Sequence, residues 1–202
     1  MKHPFITEMA LGTLPLAKFK YYLTQDSVYL DDLLSSLLIS ASRSRDRDLR
    51  DFLVDLVKAT IEGEIAMQKE LKAVLKDMPP TRGYSSTTLA YTSYMLRVSA
   101  FCSPRELLAA LAPCFWSYAE LGVMLKDTRG AKHEIYGIWI SGYASDEYQR
   151  LIKRYLEVLD KEAEKAEKVE LSRMYSHFKV ATWYEKKFWD MAYIREPILL
   201  EV

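Results

Sequence analysis

The sequence predicts an all-α fold, a helical bundle, and three observations carry that prediction. Apolar residues recur at helical spacing along nearly the whole chain, no stretch alternates as a half-buried strand would, and only 7 Gly and 7 Pro punctuate 202 residues. Half of the residues are hydrophobic, enough for a sizeable core without disulfides or a structural metal. The length fits one domain over residues 1–202, and no internal repeat divides it.

The elements follow from their start and stop signals. Gly12-Thr13-Leu14-Pro15 opens a helix, with Pro15 in the first turn where its missing donor does no harm, and the helix runs to about Ser42. A second helix spans residues 46–75 and ends before Met78-Pro79-Pro80, and residues 79–86 form the one obvious loop. A third spans residues 87–101. Ser103-Pro104-Arg105-Glu106 supplies an N-cap, a first-turn proline and an N3 glutamate, a capping box for a helix that reaches about Asp127. A turn at Arg129-Gly130 leads into a short helix over residues 133–142, Ser145 caps the next, and the last runs over residues 169–194. The charge run of residues 161–168 is expected to be a solvated helix face.

Composition narrows the function. Lys+Arg and Asp+Glu are both 28, which argues against binding nucleic acid through a broadly basic surface, though a local patch escapes this count. The two cysteines, Cys102 and Cys114, give neither a disulfide framework nor a C-x-x-C site. Met1-Lys2-His3-Pro4-Phe5 lacks a signal-peptide pattern, and charges are expected to interrupt every apolar stretch before it can span a bilayer. A cytoplasmic protein with no membrane partner is therefore expected. The 14 Tyr suit an interface or a pocket for a planar ligand.

Three helices break their own apolar stripes with a reactive group. Asp26 interrupts Phe19, Tyr22, Tyr29, Leu33 and Leu37; Glu185 interrupts Leu171, Tyr175, Phe178, Trp189 and Ala192; Cys114 shares a face with Leu107, Leu111, Tyr118, Leu121 and Leu125. A carboxylate on a core stripe is costly unless paired, so each needs either an architectural partner or a chemical task. A cysteine on such a stripe is ordinarily an inert small hydrophobe. Tyr91, Tyr94, Tyr118, Tyr136, Tyr143 and Tyr184 serve as packing, or, if several face one cavity, sandwich a flat heteroaromatic ring whose nitrogens and exocyclic amine the carboxylates read. No glycine-rich phosphate loop competes with that reading.

Five segments in order resemble the TenA family (thiaminase II, aminopyrimidine aminohydrolase): FKYYLTQDSVYL at residues 19–30, YTSYM at 91–95, PCFWSYAELG at 113–122, YGIWISGY at 136–143 and YEKKFWDMAY at 184–193. The resemblance implies a heme-oxygenase-like helical bundle assembled as a homotetramer. It further implies hydrolysis of the amine from aminomethyl-aminopyrimidine, and more weakly the splitting of thiamin, without metal or organic cofactor. Carried over by position, Cys114 is the nucleophile of the cysteine-bearing branch. Asp26 and Glu185 bind the pyrimidine nitrogens and amine, Glu185 also carrying the ring-nitrogen proton. Tyr29, Tyr91, Tyr118, Tyr143 and Phe188 line the ring. Tyr118 lies one helical turn from Cys114 and is placed to hydrogen-bond its sulfur, with Tyr143 as the alternative. The chain departs from the pattern at His133-Glu134, where a proline is expected after the histidine, and in a slightly longer loop at residues 127–132.

Two other classes share such a bundle. A haem or di-iron oxygenase needs axial or Glu-x-x-His ligands; no such pair occurs, and among His3, His133 and His177 only His177 stands within a long helix. A non-catalytic pyrimidine-binding or regulatory protein would keep the pocket without turnover.

Overall fold

The computed structural model describes residues 2–78 and 83–201. Nine α-helices dominate these residues, and each start has a local cause. Helix α1 (Pro4–Leu11) is capped by the His3 ring, which accepts from Phe5 N at 3.2 Å, carries Pro4 in its first turn, and stops at Gly12 in the left-handed region, φ 72°. This helix was not expected from the sequence, because eight residues hold too little periodicity and histidine is an unusual cap. α2 (Leu16–Arg43) follows Pro15, and α3 (Arg47–Thr60) is capped by Asp46, which accepts from Leu49 N at 3.2 Å. α3 continues through a π turn (Ile61–Ile65) into α4 (Ala66–Val74), so the helix expected over residues 46–75 is present but locally widened.

Of the loop expected at residues 79–86, residues 79–82 lie outside the described residues. Strand β1 (Gly83–Ser85) follows and pairs antiparallel with β2 (Ile198–Glu201), with a bulge between Tyr84 and Ser85. The sequence carries no alternation to announce this pair. It is held instead by the buried Gln25 of α2, whose amide donates to Gly83 O at 2.8 Å and accepts from Ser85 N at 2.9 Å.

Ser85 caps α5 (Ser86–Phe101) and Ser103 caps α6 (Pro104–Leu125). Only half of the expected capping box forms: Ser103 Oγ accepts from Glu106 N at 3.3 Å, whereas the Glu106 carboxylate turns to Arg173 and His177, both at 3.1 Å. α6 corrects a second expectation, being long and apolar enough by length and composition to cross a membrane. Most of it is buried in the bundle, where it packs more extensively on α9 (Lys168–Ile194) than on any other element, as the central helix of a core does.

His133 caps α7 (Glu134–Ala144), its Nδ1 accepting from Ile135 N at 3.2 Å. Glu134 thus stands at the first helical position, where a proline would be tolerated and an acid favours the helix dipole, so the departure from the family pattern leaves the helix intact. Ser145 caps α8 (Asp146–Glu164) as expected. The charge run at residues 161–168 is not wholly a solvated face: Glu162 is buried and accepts from Arg105 at 2.9 Å and Lys165 at 2.5 Å. The inner face of α9 is also shifted at its N-terminal half. Leu171 and Tyr175 are exposed, and Met174, Ala181, Glu185, Phe188 and Ala192 face inward, because α6 covers that neighbouring stripe.

Candidate active site

Six helical segments converge on one buried cluster. α2 contributes Tyr22, Asp26 and Tyr29; the π turn, Glu64; α5, Tyr91; α6, Cys114 and Tyr118; α7, Trp139 and Tyr143; α9, Glu185, Phe188 and Trp189; all are buried. All eight residues expected at the site are thereby brought together.

Each carboxyl has a defined partner. Gln68 of α4 donates to Asp26 Oδ2 at 2.5 Å and is itself oriented by Ser27, which donates to its Oε1 at 2.7 Å. Tyr91 donates to Glu185 Oε1 at 2.7 Å, and Tyr143 donates to Glu64 Oε2 at 3.0 Å. Burial pushes Asp26 up to about 7 against the opposing pull of Gln68 and Lys72. Burial likewise lifts Glu185 to about 7 despite Tyr91, and it lifts Glu64 to about 8 with the Asp26 charge adding to the rise. Three acids lifted this far retain part of their protons at neutral pH.

The thiol is held in its neutral form too. Burial, then the Glu185 and Glu64 carboxylates, push Cys114 well above the ordinary thiol range. The hydroxyl facing the sulfur belongs to Tyr29, which is buried without an aligned hydrogen-bond partner. This corrects the expectation for Tyr118 and Tyr143. The Tyr118 hydroxyl accepts from Tyr22 at 3.3 Å, whose oxygen accepts from Trp139 Nε1 at 3.3 Å, and Tyr143 is committed to Glu64.

Flat faces surround these groups. Tyr22 and Tyr118 both stack on Trp189 at 5.4 Å between centroids, Tyr91 stacks on Tyr184 at 4.9 Å, and Phe188 stands edge-on to Tyr29 at 5.8 Å. The sequence leads to one cavity shared by the acids and the sulfur; the two cavities nearest the cluster instead divide the acids between them. A cavity of about 540 Å³ reaches Glu64, Tyr143 and Tyr148 between the π turn and the α7–α8 corner. Another, of about 680 Å³, reaches Glu185 and Trp189 along the α6–α9 groove. Cys114 and Asp26 line neither of these two cavities.

Glu64 and Gln68 were not expected. The buried positions Leu56, Thr60, Glu64 and Gln68 recur every four residues, a step that drifts about 40° per repeat off one α-helical face. The π turn absorbs the drift, and the only cue in the sequence was a glycine, Gly63, inside an otherwise helical run. His177, the one candidate for a haem ligand, is engaged on both nitrogens, with the Tyr94 hydroxyl at 2.5 Å and Glu106 at 3.1 Å. Cys102, Glu106 and His177 do bring ligand atoms within 4.8 Å of one another, but Glu106 also accepts from Arg173 at 3.1 Å, so the cluster is already neutralised as an ion network.

The model of a family described as TENA/THI-4/PQQC matches residues 1–195. The chain is 36% identical over 196 residues to an aminopyrimidine aminohydrolase of Halalkalibacterium halodurans, covering 95% of this chain and 87% of that one. It is 32% identical to an aminopyrimidine aminohydrolase of Bacillus subtilis, covering 96% and 83%. Among solved structures, a TenA homologue from P. horikoshii superposes with a TM-score of 0.80 at 30% identity, covering 96% and 90%.

Proposed function

The chain belongs to the TENA/THI-4/PQQC family, and on that premise we propose that it hydrolyses the C–N bond of a substituted aminopyrimidine in thiamin salvage, through Cys114. The substrate is aminomethyl-aminopyrimidine, the products are its hydroxymethyl counterpart and ammonia, and thiamin is a secondary substrate. The observation that carries the reading is a buried thiol set among proton-bearing carboxyls and stackable aromatic faces.

The chemistry starts from a thiol, not a thiolate. Glu185 passes its proton to a ring nitrogen while the thiol proton passes to Glu185, and the sulfur–carbon bond forms. The electron pair moves toward the methylene and expels the amine; water adds, and the sulfur departs with its proton restored. Asp26, fixed by Gln68, reads the exocyclic amine. Tyr29, Tyr91, Tyr118, Tyr143 and Phe188 hold the ring, and Tyr29 faces the thiol. Incubation with aminomethyl-aminopyrimidine and measurement of ammonia tests the proposal: the wild-type protein turns over, and Cys114→Ser, still folded, loses nearly all activity. Near-wild-type turnover by the variant removes the covalent route, and a silent wild-type protein removes the hydrolase.

The reading extends to the whole protein. One domain over residues 1–202 assembles as a homotetramer, for which the exposed Trp116, Val123 and Met124 of α6 and Trp183 of α9 offer apolar contact surface. The cytoplasm suits an enzyme with two free cysteines, one of them its nucleophile. Light scattering behind size exclusion measures the assembly directly, and a monomer would refute that part.

A further inference from the structure

The reaction needs one more proton, for the amine as it leaves: Cys114 has given its own to Glu185, and Glu185 holds it for return to the sulfur. A third carboxyl is buried beside them. Glu64 accepts from Tyr143 through Oε2 at 3.0 Å, leaving Oε1 to act, and its charge bears on the Cys114 thiol. It also stands at the inner end of the cavity of about 540 Å³, which Glu185 does not line. A π turn presents it there, a widening found often where a helix has a task beyond packing.

We infer that Glu64 protonates the departing amine and takes a proton from the incoming water, at the inner end of the cavity through which both exchange. The inference rests on the aminohydrolase reading. As the carbon–sulfur bond forms and the electron pair moves toward the methylene, the C–N bond breaks. The Glu64 proton goes to nitrogen, giving ammonia and a carboxylate. Water then forms the C–O bond, its proton returns to Glu64, and the C–S bond breaks. Water is the only co-reactant. Amine with carboxylic acid and ammonium with carboxylate hold the same protons, so either form of the substrate enters the same cycle. Burial, which lifts Glu64 to about 8, keeps that shared proton in the site at neutral pH.

The test compares leaving groups in single turnovers. The amine must be protonated to leave as ammonia, whereas thiamin releases its thiazole as a neutral base with no proton required. In Glu64→Gln, ammonia release is expected to slow about 100-fold or more, while thiazole release changes by about tenfold or less. Glu64→Asp, which keeps an acid, recovers part of the ammonia rate. Equal slowing of both releases makes Glu64 a structural residue and overturns the inference, as does an unchanged ammonia rate. Should Glu64→Gln fail to fold, the ratio of the two rates in Glu64→Asp decides by the same criterion. Absence of ammonia from the wild-type protein is a different result, and it defeats the hydrolase reading itself.

Discussion

At the scale of single residues, three polar groups were legible because each interrupts a stripe that the helical period otherwise keeps apolar. Asp26, Cys114 and Glu185 are buried where that logic puts them. Glu64 obeys the same logic on a different period, and the sequence does not announce where a helix will widen. The hydroxyl that faces the sulfur was likewise illegible: Tyr118 lies one turn away on the same helix, yet its hydroxyl is drawn into a chain with Tyr22 and Trp139, and Tyr29 comes from another helix altogether. The proton on Glu185 separates catalysis from binding. Glu185→Gln keeps a hydrogen-bonding shape beside Tyr91 but cannot donate an acid proton. Its expected effect is a fall in kcat of about 10²–10⁴-fold with KM little changed. A steady-state comparison of the two parameters checks this, and an effect confined to KM makes Glu185 a binding group only.

At the scale of elements, the helices with side-chain caps and breakers were readable and the short pieces were not. α6 and α8 start at the serines that the sequence marks, whereas α1 and the β1–β2 pair depend on a histidine cap and on Gln25 reaching across from α2. Close approach between elements was also invisible. Gly122 of α6 lies against the end of α7, where an added Cβ would stand 2.4 Å from the Tyr143 carbonyl carbon and 2.6 Å from Ala144 N. Backbone cannot yield as a side-chain tip does, so Gly122→Ala must push α7, and Tyr143 with it, away from the cluster. The expected cost is about 1–3 kcal/mol, a fall in melting temperature of roughly 2–12 °C, with a loss of activity from the displaced Tyr143. Gly63→Ala is the contrast, since nothing lies within 4 Å of its added Cβ. Thermal melts of both variants test the claim, and equal melting temperatures would show that α6 and α7 separate without cost.

At the scale of the whole molecule, the stored protons couple the site to the stability of the fold. Asp26, Glu64 and Glu185 sit at about 7, 8 and 7 in the folded chain, against ordinary values of 3.8, 4.5 and 4.5. Between those two ranges the folded state binds more protons than the unfolded chain, so stability falls as pH rises from about 4 to about 8. Asp46 and Glu196 act in the opposite sense. The Asp46 carboxylate accepts the cap bond of α3, Glu196 accepts from Ser86 and Thr87, and both are held below the usual range, so protonating them costs stability at still lower pH. The maximum therefore lies at about pH 4, where the two opposing sets meet, with a decline on the order of a few kcal/mol toward pH 8. The same protons supply the reaction, so replacing one buried acid by its amide should improve tolerance of alkaline conditions while it harms turnover. Glu64→Gln removes the acid that sits highest of the three. Its melting temperature should lose less between pH 6 and pH 8 than that of the wild-type protein. Parallel melting curves for the two across that interval would mean that Glu64 ionises in the folded protein as it does in the unfolded chain, and that no proton is stored on it.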